Sequence, residues 1–273
     1  MQTIVGDQVT AAVPAQVQPL RVGLHGHPLD QKMLRGAVAE GVGTFILVFS
    51  IISAVIAASL AMPIAGDAFG SLAVAVAGGL ALALSVAALG HVSGAHLNPA
   101  VTVGLAVNRR FPLHHLLAYV GAQVVGAVTA ALGAWVLFGE RARSVAHLGA
   151  PSPATGVNVW QVFGAEALVT FILVLVVVSV ATDNRVPAGV AAWAIGAALA
   201  VAIIASGPIS GAGVNPARSL GPMIVAGTLT DWWVYVTSPL VGGAVAATVY
   251  EFLRSGSVPT TSPFGEPTPG PTD

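Results

Sequence analysis

Of the 273 residues, 55% are hydrophobic and only 8% charged, whereas roughly 25% of the residues of a soluble domain are charged. The mean hydropathy of +0.85 therefore points to a membrane protein, and the net charge of −1 leaves no basic stripe for a nucleic acid. Cysteine is absent, which excludes disulfides, thiol catalysis and thiolate metal sites.

Residues 1–31 are polar, rich in Pro and Gln and without a continuous apolar run, which reads as a disordered cytoplasmic tail rather than a cleavable signal. Apolar stretches follow at about 33–59, 70–89, 113–138, 159–181, 187–205 and 232–253. Each is long enough to cross a hydrocarbon core of roughly 30 Å, which takes about 20 helical residues. Two further segments, 98–108 and 216–227, are too short. A helix of ten residues rises about 15 Å, half the core, so one entering from each side would meet its partner near the midplane. From Ser255 onward, Pro259, Pro263, Pro267, Pro269 and Pro271 predict a second disordered tail. The expected organisation is a tail at 1–31, a membrane domain at 32–254 with halves at about 33–138 and 159–253, and a tail at 255–273. The fold class is all-α: six transmembrane helices plus two re-entrant half-helices.

Each short segment opens with the same frame. Ser93-Gly94-Ala95-His96-Leu97-Asn98-Pro99-Ala100 in the first half answers Ser210-Gly211-Ala212-Gly213-Val214-Asn215-Pro216-Ala217 in the second, which runs into Arg218. Asn suits a helix N-cap and Pro the first helical position. The repeat extends further: Ala39-Glu40-Gly41-Val42-Gly43-Thr44-Phe45 matches Ala165-Glu166-Ala167-Leu168-Val169-Thr170-Phe171, and Gln123-Val124-Val125-Gly126 answers Pro239-Leu240-Val241-Gly242. The stretch from Glu40 to Asn98 is longer than that from Glu166 to Asn215, and the surplus fits most easily near Ala61–Gly70. Three spans per half is an odd number, so the second half enters from the opposite face and the repeat is inverted. With the N-terminus inside, Arg21, Lys32, Arg35, Arg109, Arg110, Arg185 and Arg254 are cytoplasmic while Arg141 and Arg143 are outside. That is a positive-inside bias with both termini in the cytoplasm.

Irregular backbone survives at membrane depth only where protein or water satisfies its polar groups. Two half-helix N-termini meeting there bring positive dipole ends and free N–H groups to the midplane. Asn98 and Asn215, held as caps, can also turn side-chain NH₂ donors into a lumen, where a water or alcohol oxygen would accept from both. Arg218 adds a fixed cation at the outer mouth. Glu40 and Glu166 are the two carboxylates well inside predicted spans. They could form a proton or ion relay, but their symmetric placement favours acceptance of hydrogen bonds from the re-entrant loops. Gly121, Gly126, Gly189 and Gly196 are expected to allow close helix contact. His91 and His96 are expected to brace the first re-entrant loop, and His114 and His115 to open a span. No His, Asp or Glu spacing resembles a metal site, no cofactor motif is present, and no Ser stands with a His and an acid for nucleophilic catalysis. The pattern predicts no enzyme.

The duplicated Ser-Gly-Ala-x-x-Asn-Pro-Ala frames, the paired Ala-Glu starts and Arg218 make residues 33–253 resemble the aquaporin family of major intrinsic proteins. The resemblance implies the hourglass fold, a pore in each subunit, a homotetramer, and a multi-pass protein of the plasma membrane. By counting from the motifs, the family's four-residue constriction falls on Gly78, Ile203, Ala212 and Arg218. Strict water channels of the family place an aromatic residue at the first position and His at the second, and this chain departs at both. The constriction is thus expected to be wider and more apolar than a water-only filter. Ser219 is similar to the water-type branch, while Gly207-Pro208-Ile209-Ser210-Gly211 and Trp233-Val234-Tyr235-Val236 are similar to the nodulin-26-like branch. The implied function is a passive channel for water and small uncharged solutes, glycerol and metalloid hydroxides among them, that excludes protons and ions. A strictly water-selective pore and an inverted-repeat secondary transporter using Glu40 and Glu166 are the competing readings, with a non-conducting membrane protein third.

Overall fold

The computed structural model describes residues 33–60, 70–183 and 185–255; the two expected tails and the surplus positions at 61–69 lie outside them. Among the described residues every regular element is helical. Besides two short 3-10 turns at His147–Gly149 and Ala188–Val190, they are, in chain order, α1 (Met33–Ser59), α2 (Gly70–Ser93), α3 (Pro99–Val107), α4 (Leu113–Phe138), α5 (Glu140–Ser144), α6 (Val159–Thr182), α7 (Ala191–Ser210), α8 (Pro216–Ala226) and α9 (Val234–Ser255). Six of these are long and apolar enough to cross a membrane. The short helices α3 and α8, of 9 and 11 residues, rise about 14 and 17 Å at 1.5 Å per residue, half a span each.

The inward stripe of α1 shows why these helices pack as they do. Gly36, Ala39, Glu40, Gly43, Thr44, Leu47, Val48, Ile51, Ile52 and Ile56 are buried, at the three-and-four spacing of one helical face. The opposite face is no less apolar: Leu34, Val38, Val42 and Ile46 are exposed. A helix that is hydrophobic all round suits a lipid neighbour on one side and protein on the other.

Glycine sets the crossings. A Cβ on Gly126 of α4 would collide with the Gly41 carbonyl oxygen of α1. Its counterpart Gly242 of α9 stands in the same relation to Ala167 of α6. Between the halves, a Cβ on Gly79 of α2 would lie 2.7 Å from the Gly196 carbonyl oxygen of α7, and Gly196 meets Gly79 in return. Small residues let backbones touch where no hydrophobic drive separates helix from lipid. Gly121 and Gly189, expected to serve likewise, have nothing within 4 Å of an added Cβ; they face away from the packed interior.

Two helices run further than their sequences suggested. Helix α2 continues to Ser93 and so carries His91, exposed in its last turn rather than bracing a loop. Helix α7 continues to Ser210 with Pro208 inside it, because carbonyls freed by a proline can be satisfied by neighbours or lumen water at membrane depth. Helix α5 was not anticipated. It follows a turn at Gly139 (φ 78°) and is closed by an Arg143–Glu140 pair at 2.8 Å, with Arg143 4.8 Å over the Trp135 ring.

The basic residues separate by end. Arg110, before α4, bonds Glu251 of α9 at 3.1 Å and the Thr182 carbonyl of α6 at 3.4 Å. Asp183, just after α6, takes Arg185 at 2.5 Å and the Tyr250 hydroxyl at 2.8 Å. Arg143 lies beyond the far end of α4. Both described ends of the chain, Met33 and Ser255, lie with Arg110.

Candidate functional site

Two loops without regular structure, 94–97 and 211–214, join α2 to α3 and α7 to α8. Their backbones alternate in handedness: Gly94, Ala95 and Leu97 have φ of 90°, 48° and 52°, and Gly211, Ala212 and Val214 have 75°, 54° and 59°. Left-handed alanine, leucine and valine cost energy that the surroundings must offset. The alternation leaves N–H groups pointing sideways with no helical partner, and a carboxylate meets each set.

Glu40 accepts from the His96 N–H at 2.9 Å and the Leu97 N–H at 2.6 Å. Glu166 accepts from the Gly213 and Val214 N–H groups at 2.8 and 2.5 Å and from the Ser210 hydroxyl at 2.5 Å. Tyr119 donates to the Ser93 carbonyl at 3.0 Å, and its counterpart Tyr235 donates to Ser210 at 2.8 Å. The first half adds Gln123, whose amide reaches Glu40 at 2.8 Å and Thr102 at 3.0 Å; the second has Pro239 there and no such link. His96 contacts Thr102 through Nδ1 at 3.3 Å and packs its ring against Phe111 and Tyr119.

At the centre the two frames clasp each other. Asn98 Oδ1 caps α3 by accepting from the Ala100 N–H at 2.8 Å, and Asn98 Nδ2 donates to the Val214 carbonyl at 3.2 Å. Asn215 Oδ1 accepts from Ala217 and Arg218 at 2.9 and 3.2 Å, and its Nδ2 donates to the Leu97 carbonyl at 2.7 Å. Pro99 and Pro216 take the first helical positions, where no N–H is needed. Ala100 and Ala217 are fully buried behind them. Each carboxamide has two N–H bonds and gives one to the opposite loop, so one remains on each side. Both asparagines line a narrow passage with Leu47, Leu82, Leu173 and Leu199.

That passage offers about 20 Å³ to the centres of water-sized spheres, against about 340 Å³ in a vestibule at the Arg143 end. A single water needs roughly 10–15 Å³ on this measure. The residues lining both spaces are Ile51, Ile203, Ala212 and Arg218. The Arg218 guanidinium donates to the Gly149 carbonyl at 3.0 Å, held there by a left-handed turn at His147 and Leu148. Among the described residues Arg218 has no carboxylate within salt-bridge distance.

Of the four positions reached by counting from the motifs, three stand at this neck. Gly78 lies behind it: a Cβ there would sit 2.7 Å from Ile203 Cδ1 and 3.2 Å from Ile51 Cγ1. The close crossing at Gly79 and Gly196 draws α7 onto α2 and leans Ile203 across the notch. Ile51, Gly149 and Tyr119 went unread in the sequence, while Gln123 and Tyr235 were read there only as parts of the repeat and of a branch-like run, not as members of the site. Position 51 carried a signal, since it continues the inward stripe of Glu40, Thr44 and Leu47.

The model of the family described as "Major intrinsic protein" matches residues 29–250. The chain is 38% identical over 231 residues to aquaporin NIP1-3 of Oryza sativa subsp. japonica, covering 84% of this chain and 78% of that protein. It is 38% identical over 245 residues to aquaporin AqpM of Methanothermobacter marburgensis, covering 82% and 98%. Among solved structures, the aquaglyceroporin from Plasmodium falciparum superposes with a TM-score of 0.69 at 25% identity, covering 80% of this chain and 96% of that one.

Proposed function

The chain belongs to the major intrinsic protein family, whose members are passive channels rather than enzymes, and on that premise we propose how this one conducts. It is a multi-pass membrane channel for water and small uncharged solutes, with glycerol and metalloid hydroxides as the solutes beyond water. The observation that carries this reading is the reciprocal clasp of Asn98 and Asn215. Two helix N-termini and the one N–H left on each amide meet a passing oxygen together. An oxygen accepting from both donors must turn its own hydrogens away along the file, which breaks a relay of protons. The positive ends of α3 and α8 raise the electrostatic barrier to cations, the general logic of aquaporin-type pores.

Selectivity is assigned to the neck, with Gly78, Ile203, Ala212 and Arg218 as the filter. Arg218 is the fixed cation and donor fork; Ile203 and Ala212 are apolar walls that suit the carbon edge of a polyol. Glu40, Glu166 and His96 are assigned the support of the re-entrant loops. Residues 32–254 form the channel domain, the described ends carrying Arg110, Arg185 and Arg254 face the cytoplasm of the plasma membrane, and the assembly is a homotetramer.

The test is light scattering of proteoliposomes given an inward glycerol gradient. Fast shrinkage with fast reswelling is expected. Shrinkage without reswelling would mean a strictly water-selective pore, the second reading, which the narrowness of the inner passage favours. The transporter reading is weaker, because neither Glu40 nor Glu166 lines the passage or the vestibule.

A further inference from the structure

We propose that Ile51 is a specificity-determining wall of the neck, and that it and Ile203 together set the width that Gly78 would otherwise leave open. The inference rests on the neck being the selectivity filter. Ile51 lines both the vestibule and the inner passage, as Ile203, Ala212 and Arg218 do and Gly78 does not. It comes from α1, which no count from the Asn-Pro-Ala frames reaches. The notch at Gly78 is filled from two sides, with Ile203 Cδ1 at 2.7 Å and Ile51 Cγ1 at 3.2 Å from an added Cβ.

A missing side chain on α2 therefore does not widen the channel by itself. It gives two flexible δ-methyl ends a recess to lie in. Mass added at Gly78 drives both isoleucines toward Arg218, and mass removed at Ile51 or Ile203 opens the neck beside it. Three of the four groups at the neck are apolar and one is a cation with several donors. The solute class this selects is a neutral molecule with oxygens along one edge and C–H along the other, a small polyol. Its passage is limited by methyl groups rather than by lost hydrogen bonds.

Proteoliposomes test this through the ratio of glycerol to water permeability, with folding checked by thermal unfolding in detergent. Ile51→Ala should raise the ratio at least about threefold, well within the tenfold or more that one methylene decides in a close-fitting pocket. Ile51→Val should raise it less, and carries the test where the alanine variant does not fold. Gly78→Ala should lower it, and Gly78→Ala combined with Ile51→Ala should bring it back toward the parent value. If Ile203→Ala raises the ratio while both Ile51 variants leave it unchanged, the filter stands and Ile51 is not part of it. If Ile51 and Ile203 variants are all silent, the neck is not the filter. A Gly78→Ala ratio equal to the parent's would overturn the shared notch.

Discussion

Glu40 and Glu166 show how two buried carboxylates can be structural. Each accepts two loop N–H groups plus a side-chain donor, Gln123 on Glu40 and Ser210 on Glu166. A glutamine in either place offers one acceptor oxygen and turns an NH₂ toward a donor, leaving buried N–H groups unmet at about 1–3 kcal/mol each. Glu166→Gln should therefore lower stability by about 2–3 kcal/mol, read as a lower unfolding temperature and yield; a variant as stable as the parent would remove the supporting role. Arg218 is different in kind, since its guanidinium meets a carbonyl and the lumen. Arg218→Ala should raise proton and cation leak in vesicles loaded with a pH-sensitive dye, and an unchanged leak would take Arg218 out of the filter. The Asn-Pro-Ala pair and the two glutamates could be read from the chain because their repeat shows them twice. For Ile51 the inward stripe of Glu40, Thr44 and Leu47 marks only the face, because its place at the neck depends on how closely α2 and α7 cross.

At the level of elements, the internal repeat becomes a pair of matched helix crossings, Gly126 on Gly41 and Gly242 on Ala167. Gly126→Val must push α4 from α1 against backbone that cannot yield, and should cost at least the roughly 1–3 kcal/mol of ordinary overpacking. Gly121→Ala, with nothing within 4 Å, should change stability by no more than about 0.5 kcal/mol. Thermal unfolding of both variants checks the contrast, and equal effects would contradict the crossing geometry. Helix existence followed from apolar runs of sufficient length, while helix ends did not. The apolar runs end at about 89 and 205, yet α2 and α7 continue past His91 and Pro208 to seat Ser93 and Ser210, whose carbonyls hold the tyrosines. Beyond α6, Arg185 holds the Asp183 carboxyl well below the usual carboxylate range, helped by the Tyr250 hydroxyl. A depressed folded-state value stabilises above the ordinary aspartate range near pH 4 and is lost as pH falls below it. Asp183→Asn should thus cost about 1 kcal/mol at neutral pH, a gap that stays level from about pH 5 to 8 and closes only in stronger acid. A gap that changed across that neutral range, followed by Tm against pH, would contradict the assignment.

For the whole molecule the question is whether the two halves move. An alternating-access transporter built on an inverted repeat must rock one half against the other around its site. Here the site is itself the bond between halves: Asn98 holds the Val214 carbonyl and Asn215 holds the Leu97 carbonyl. Rocking would break both: the Leu97 carbonyl would lose its amide donor, the Val214 carbonyl would keep only the Thr170 hydroxyl at 3.2 Å, and neither loop's glutamate, an acceptor engaged within its own half, can supply a donor in exchange. The halves meet again at the Gly79–Gly196 crossing, where backbone rests on backbone. A body so joined conducts without a cycle. Glycerol flux into proteoliposomes should rise in proportion to the gradient without saturating at low concentration, and should be indifferent to an imposed pH difference. Saturation at low glycerol or acceleration by a proton gradient would show that the clasp opens in turnover. With no cysteine in the chain, the same flux should also survive mercurial reagents, and a block reversed by a thiol reductant would contradict a pore that offers mercury no thiol.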